Sequence, residues 1–340
     1  MSAITKLPLQ RATVFWRCFF CALALVTASE PAFSQSYPSR PVRIILPVPP
    51  GGGVDALGRI LAQQLSDALG ERFIAENRPG ASTVIGSTVV ARAAPDGYTL
   101  LVNAALFITG PLITKNVPYD PVKDFAPVTQ IAGGPLLLVT SAKFPANNIA
   151  ELIALAKARP EELSIANPGT GSTMDFAQAM FRLKTSVKVL TPAYNGTAPA
   201  VLDVMTGQVS ATFTTAPSAL SFVRNGRLKV LAVPSKARSA LVPEMPTIAE
   251  SAPPDLRSAL ADFEFINWSG LWAPAKTPRE IVAKLQRTVA QVVQRSEVRQ
   301  LLASQGLEPV ASSPEEFADY IRDEISKHAR LIRDAGLKFE

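Results

Sequence analysis

Apolar positions in this chain fall into short blocks of two kinds. Val42-Arg43-Ile44-Ile45-Leu46 is a β-rich run closed by Pro47, Pro49 and Pro50. After Gly51-Gly52-Gly53, residues Leu57, Ile60, Leu61, Leu65 and Leu69 recur at three- and four-residue spacing, which predicts an amphipathic helix ending at Gly70. Phe73-Ile74-Ala75 predicts a second strand and 85–94 a second helix. The Pro95-Asp96-Gly97 turn leads into a third strand at 98–102. This β-α-β-α-β order with short connections predicts a parallel sheet with helices on its faces.

The alternation resumes after Pro135. Strands are expected at 136–140, 163–166, 187–190, 210–213 and 228–233, with helices at 173–184, 198–206 and 217–224. Asn148 with Glu151 three residues on has the form of a capping box, and Arg159-Pro160 stops the helix it starts. Thr277-Pro278-Arg279-Glu280 and Ser313-Pro314-Glu315-Glu316 each place a hydroxyl at N-cap, Pro at N1 and Glu at N3, predicting two closing helices. The Pro- and Ser-rich segment 234–260 reads as irregular. Two α/β halves, before and after about residue 138, suggest two similar lobes.

Lys6, Arg11 and Arg17 precede an apolar run from Cys18 to Val26, and Ala32-Phe33-Ser34 precedes Gln35. That is the layout of a signal peptide over residues 1–34, with an apolar run too short to span a bilayer as a mature helix. The expected location is therefore the periplasm. Both cysteines, Cys18 and Cys21, lie in that leader, so the mature chain has no disulfide, thiolate nucleophile or Cys metal ligand. Loss of Lys6, Arg11, Arg17 and Glu30 lowers the net charge from +6 to +4. No Lys/Arg cluster tracks phosphates, so nucleic acid is not an expected partner. A composition 47% hydrophobic and 18% charged excludes a disordered chain, and no second long apolar stretch marks a membrane protein.

The usual groups of catalysis are scarce. His328 is the one histidine and is expected to be an exposed helix residue. No serine stands in a Gly-x-Ser-x-Gly elbow, and no HExxH, CxxC or carboxylate-rich metal loop is present. Metal and cofactor are accordingly not expected. Paired carboxylates need only be close in space, so an exported α/β hydrolase remains the alternative function. Gly51-Gly52-Gly53-Val54-Asp55-Ala56 fits a loose GxGxxA, with Glu71 and Glu76 about twenty residues on, but three prolines alter the tight turn of a dinucleotide fold.

Glycines before a helix leave backbone N–H groups free at its positive end, which suits a small carboxylate. Three further loops share this character: Gly80-Ala81-Ser82-Thr83, Asn167-Pro168-Gly169-Thr170-Gly171-Ser172-Thr173 and Tyr194-Asn195-Gly196-Thr197. In open α/β sheets such loops gather at the carboxyl ends of strands. Main-chain amides and hydroxyls from both lobes are expected to close on one ligand. Asp55 and Arg59, spaced i,i+4, are read as an ion pair, and Trp268 as a core or hinge residue.

These residues resemble the Bug-type solute receptors, the extracytoplasmic binding components of tripartite tricarboxylate transporters. The resemblance runs through Tyr37-Pro38-Ser39-Arg40-Pro41-Val42-Arg43, Pro50-Gly51-Gly52 with Asp55 and Arg59, Glu76-Asn77-Arg78-Pro79-Gly80-Ala81 and Ala94-Pro95-Asp96-Gly97-Tyr98-Thr99-Leu100. It continues in Asp124-Phe125-Ala126-Pro127-Val128, Gly169-Thr170-Gly171-Ser172, Tyr194-Asn195-Gly196, the Pro243–Glu250 stretch, and Trp268 with Ala273-Pro274. It implies a two-lobed α/β flytrap of the periplasmic-binding-protein type II class. Lobe 1 would span 36–137 with 259–340 returning to it, and lobe 2 would span 138–258. The implied ligand is a small organic acid, held by Val48, Pro49, Gly51, Gly52, Asp55, Ala81, Ser82 and Thr83 from lobe 1. Gly169, Thr170, Gly171, Ser172, Tyr194 and Gly196 would complete the site from lobe 2. The implied role is capture without catalysis, as a monomer, for membrane permease subunits or a sensor kinase.

The sequence departs from that family at instructive places. Ser82-Thr83-Val84-Ile85-Gly86 stands where Gly-Gly-Asn-Ile-Gly is usual, and Asp175-Phe176 where His-Leu is common. An acid at 175 facing the cleft would repel a dianion or favour a ligand carrying a cation.

Overall fold

The computed structural model describes residues 37–51 and 53–337, and from Arg40 onward they form one compact unit. The signal-peptide segment, both cysteines and Gly52 lie outside the described residues. The chain opens with β1 (Val42–Leu46), α1 (Gly53–Leu69), β2 (Phe73–Asn77), α2 (Val84–Ala91), β3 (Thr99–Ala104) and α3 (Leu106–Ile113). A long β4 (Phe125–Ser141) follows, then α4 (Ile149–Ala158), β5 (Ile165–Ala166), α5 (Thr173–Thr185) and α6 (Thr197–Thr206). Next come β6 (Ala211–Thr215), α7 (Ala216–Arg224), β7 (Leu228–Ala232), α8 (Ile248–Ser251) and α9 (Pro254–Leu260). The chain closes with β8 (Ile266–Pro274), α10 (Arg279–Val293), α11 (Ser296–Ser304), β9 (Glu308–Pro309) and α12 (Pro314–Asp334).

The fold is the two-lobed α/β class expected from the sequence. β1 pairs in parallel with β2 and β3, as short β-α-β connections require. β8 returns antiparallel between β3 and β4, and β4 then passes into a second set in which it pairs antiparallel with β6 and β7. β5 joins β6 in parallel. The strand expected at 136–140 is thus the end of a much longer one. Pro135 reads in the sequence as a boundary, but it pairs with Ile266 where β4 leaves one set for the other.

The registers decide where the loops lie. Ala104, the last residue of β3, pairs with Ser269, and Ser269 pairs with Ala132. Thr215, the last residue of β6, pairs with Leu136. The carboxyl edges of the two parallel sets therefore face each other across Gly133-Gly134-Pro135. The crossing is tight: a Cβ on Gly134 would stand 2.0 Å from the Gly306 carbonyl oxygen.

Caps follow the sequence unevenly. Ser313 and Glu316 form the expected reciprocal box on α12, and Asn148 caps α4 by accepting from Glu151 N at 2.8 Å. Thr277 does not cap. Pro278 takes the cap position of α10, while the Thr277 amide donates to Pro274 O and its buried hydroxyl has no partner. The segment 234–260, expected to be irregular, holds the short helices α8 and α9, the first started by a Thr247–Glu250 capping box. Of the residues expected as a strand at 187–190, Leu190 makes an isolated parallel bridge to Ser164, and beyond them Ala193 bridges Asn167. His328 is fully buried against Phe176 and Phe265, which corrects the expectation of an exposed residue. It lies on the face of α12 that carries Phe317, Ile321 and Leu331 inward. Trp268 is also in the core, among Trp272, Phe317 and Tyr320.

Candidate functional site

All four candidate loops leave the carboxyl edges that face each other. In the first half, the loop after β1 is tied down by Asp55. Its carboxylate accepts from Gly51 N at 2.9 Å, from Asn77 Nδ2 at 2.8 Å and from Arg59 Nε at 3.1 Å. Asn77 also donates to Val48 O at 3.0 Å and accepts from Arg59 at 2.7 Å. Although burial opposes it, these donors together hold the Asp55 carboxyl below the usual carboxylate range. Asp55 and Arg59 are thus paired as the spacing suggested, and both Asp55 oxygens are engaged inside the loop. Val48 is half-buried, and Pro49 and Gly51 are exposed.

The loop after β2 is strained. Ala81, Ser82 and Thr83 are three successive non-glycine residues in the left-handed region, with φ of 46°, 50° and 78°. Each such residue costs on the order of 1–2 kcal/mol. Among the described residues, the N–H groups of Ala81, Ser82 and Thr83 donate to nothing within the chain, nor do those of Gly53 and Val54 in the first turn of α1. Ala81 and Ser82 are exposed, whereas Thr83 is buried beside Tyr119. The Tyr119 hydroxyl donates to Phe107 O, and burial pushes its pKa up to about 12.

The second half repeats the anchoring device. Gly171 N donates to Asp175 Oδ2 at 2.8 Å and Asn167 Nδ2 to Asp175 Oδ1 at 2.8 Å, as Gly51 and Asn77 do to Asp55. Here no arginine joins by hydrogen bond, and burial raises the Asp175 carboxyl above its ordinary value. The signal was present in the sequence as glycine four residues before aspartate in both loops, with an asparagine at each strand end. Asp175 does not project as a free acid: its two oxygens turn back on the loop.

The amides expected from this half are mostly engaged. Gly169 N donates to Asn167 Oδ1, Ser172 N to Gly169 O, Tyr194 N to Asn167 O and Gly196 N to Pro168 O. Only Thr170 keeps a free N–H among 169–172, and its residue is exposed. Hydroxyls stand beside these loops. Thr197 and Thr215 share the Ser218 hydroxyl at 3.1 and 2.9 Å, and Tyr194 donates to Asp203 at 2.7 Å. The N–H groups of Asn195, Thr197 and Ala198, at the start of α6, donate to nothing among the described residues, so each half offers free amides.

Sequence reasoning missed α3, which joins the two sides. Its Thr109 hydroxyl donates to Gly171 O at 3.1 Å, and Phe107 stacks on Tyr119 beside Thr83. Gly171, at φ 73°, fits against α3 because a Cβ there would meet Ile113 Cδ1 at 2.0 Å. An eight-residue helix with apolar residues on every side carries no amphipathic period to read.

A groove of about 640 Å³ elsewhere, between α5, α12 and residues 262–265, contains none of the candidate residues. Its ion pairs are Lys184–Asp262, Lys236–Glu264 and Lys327–Glu324, and Asp323, Arg330 and Asp334 also line it. Among the described residues, no cluster of His, Cys, Asp and Glu could hold a metal ion.

The family model described as "Tripartite tricarboxylate transporter family receptor" matches residues 57–337. The chain belongs to that family. The receptor is 35% identical over 320 residues to Protein BugT of Bordetella pertussis, covering 94% of this chain and 96% of that one. Among solved structures it resembles R. palustris Rpa4515 with adipate, at 32% identity and a TM-score of 0.77, over 89% of this chain and 100% of that chain. It also resembles MatC from Rhodopseudomonas palustris with bound malate, at 29% identity and a TM-score of 0.72, over 87% and 100%. These are receptors of the periplasmic binding class, and the fold and function expected from the sequence agree with them.

Proposed function

We propose that this receptor captures a small carboxylated metabolite in the periplasm and hands it to a membrane permease, without transforming it. The observation that carries the reading is the set of unengaged amides at Ala81, Ser82, Thr83, Gly53 and Val54, on an edge that faces the second half. Oriented N–H groups at the start of α1 and α2 hold an anion without any side-chain charge. Adipate and malate in two related receptors agree with a carboxylate. Export by a cleaved leader over 1–34, lobes at 36–137 with 259–340 and at 138–258, and a monomeric state complete the proposal. The ligand set is Val48, Pro49, Gly51, Gly52, Asp55 and Ala81–Thr83 against Gly169–Ser172, Tyr194 and Gly196. Asp55 acts there by holding the loop.

Native mass spectrometry of freshly purified protein, followed by thermal shift against a carboxylate library, tests this. A retained or stabilising acid recovered unchanged is expected. Turnover of the acid, or no stabilisation by any carboxylate, would overturn the reading.

A further inference from the structure

The two halves fasten a ligand loop with the same three residue types. In the first, Gly51 N and Asn77 Nδ2 donate to Asp55, and Arg59 adds an ion pair. In the second, Gly171 N and Asn167 Nδ2 donate to Asp175, and Arg182 acts on that carboxylate only through space. Hydrogen bonds alone therefore fix the second loop. Asn167 serves it twice, because its Oδ1 also accepts from Gly169 N at 3.0 Å. One Asn–Asp pair thus ties the Gly169 and Gly171 amides inward. The Thr170 N–H between them donates to nothing among the described residues, and Thr170 is exposed. From the other side, the Thr109 hydroxyl of α3 lies 3.1 Å from Gly171 O, and Ile113 leaves no room for a side chain at 171. Phe107 and Ile108 root α3 in the core of the first half, with Ile45 and Leu101. The 169–172 loop therefore stands where the halves meet.

We propose that Asp175, with Asn167 and Thr109, is a positioning residue that presents the Thr170 N–H to the ligand from the second half. The inference rests on the receptor reading above and adds residues outside its ligand set. Asp175 acts through the loop, so its charge is not what an anionic ligand meets. A donor held in place before binding costs less ordering when the ligand arrives. A carboxamide at 175 offers one acceptor where Gly171 N and Asn167 Nδ2 both donate, so one of them loses its partner and the loop loosens. Exchanging the pair, Asn167→Asp with Asp175→Asn, restores those bonds. The carboxylate at 167 accepts from the Gly169 amide and from the carboxamide at 175, whose oxygen accepts from the Gly171 amide.

The test combines calorimetry with amide chemical shifts from NMR. The probes are malate, adipate and the acid from the carboxylate library that stabilises the protein most. At saturation the Thr170 amide is expected to shift along with those of Ala81, Ser82 and Thr83. Asp175→Asn is expected to weaken the tightest probe about five- to tenfold and Thr109→Val about threefold, with the Thr170 shift reduced and the Ala81–Thr83 shifts kept. The exchanged pair is expected to bind within about twofold of the wild type. Circular dichroism checks folding, and if a variant at 175 misfolds, Thr109→Val and the wild-type Thr170 shift decide. Equal or tighter binding by Asp175→Asn overturns the proposal, since an acid facing the ligand would give that result. So does an exchanged pair that folds and stays as weak as Asp175→Asn, or a Thr170 amide unmoved at saturation. Lower stability in urea with unchanged affinity in Asp175→Asn and Thr109→Val marks a structural role alone and overturns it too. Each of these outcomes, with a probe still bound, leaves the receptor reading standing, whereas no binding by any carboxylate overturns that reading and this proposal with it.

Discussion

Thr83 shows how a single residue carries strain at the start of a helix. It is β-branched, has φ of 78° and starts α2 without a side-chain cap. Glycine adopts that backbone freely, at some cost in unfolded-chain entropy. Thr83→Gly is therefore expected to stabilise the fold by about 1 kcal/mol, read from urea unfolding. His328 carries a different tension. Its Nδ1 donates to Glu324 O at 2.7 Å, Nε2 has no partner, and burial with the nearby Lys327 charge lowers its pKa to about 4. The folded state then binds fewer protons than the unfolded chain as pH falls from about 6.5 toward 4. Its contribution to stability is complete above pH 6.5 and shrinks through that window by about 3 kcal/mol. Glu324 works in the opposite direction, because burial raises its carboxyl pKa. Comparing acid unfolding of the wild type with His328→Gln isolates the histidine: the wild type loses more stability between pH 7 and 4.

At the scale of elements, two similar helix-start motifs had different outcomes. Ser313 accepts from Glu316 N at 3.1 Å while Ser313 N donates to Glu316 Oε2 at 2.8 Å, so Ser313→Ala is expected to cost about 1 kcal/mol. Thr277 ends the turn from Pro274 and leaves its hydroxyl buried and unpartnered. Thr277→Val is expected to be neutral or slightly stabilising in the same urea measurement. The motif names a helix near the right place, but the incoming turn decides which residue occupies the cap. The amphipathic stripe of α1 was legible because that helix buries one face, and β1 and β3 because they are short apolar runs bounded by proline and glycine turns. The helix α3 and the strands β8 and β9 were not, since their burial comes from partners distant in the chain.

For the whole molecule, the crossing of β4 with β8 is decisive. It sets both carboxyl edges opposite each other, and Gly134 makes room for the chain at Gly306. A methyl group at 134 meets backbone on the other side, so Gly134→Ala is expected to destabilise the fold by about 3 kcal/mol in urea unfolding. Of the candidate site, the loops and their edge position could be read from glycine, hydroxyl and strand order. Which of their amides are free could not, because Asp55, Asn167 and Asp175 accept from the Gly51, Gly169 and Gly171 amides through their side chains.

The sequence by itself determined the parallel β-α-β start of the chain, the glycine loops at its strand ends and the receptor family, since these rest on local period, turn residues and motif order. Only the tertiary structure decided that β4 is one strand through both halves, that His328 is buried and that Asp175 faces its own loop. Each of those depends on contacts between residues far apart in the chain, which no local pattern encodes.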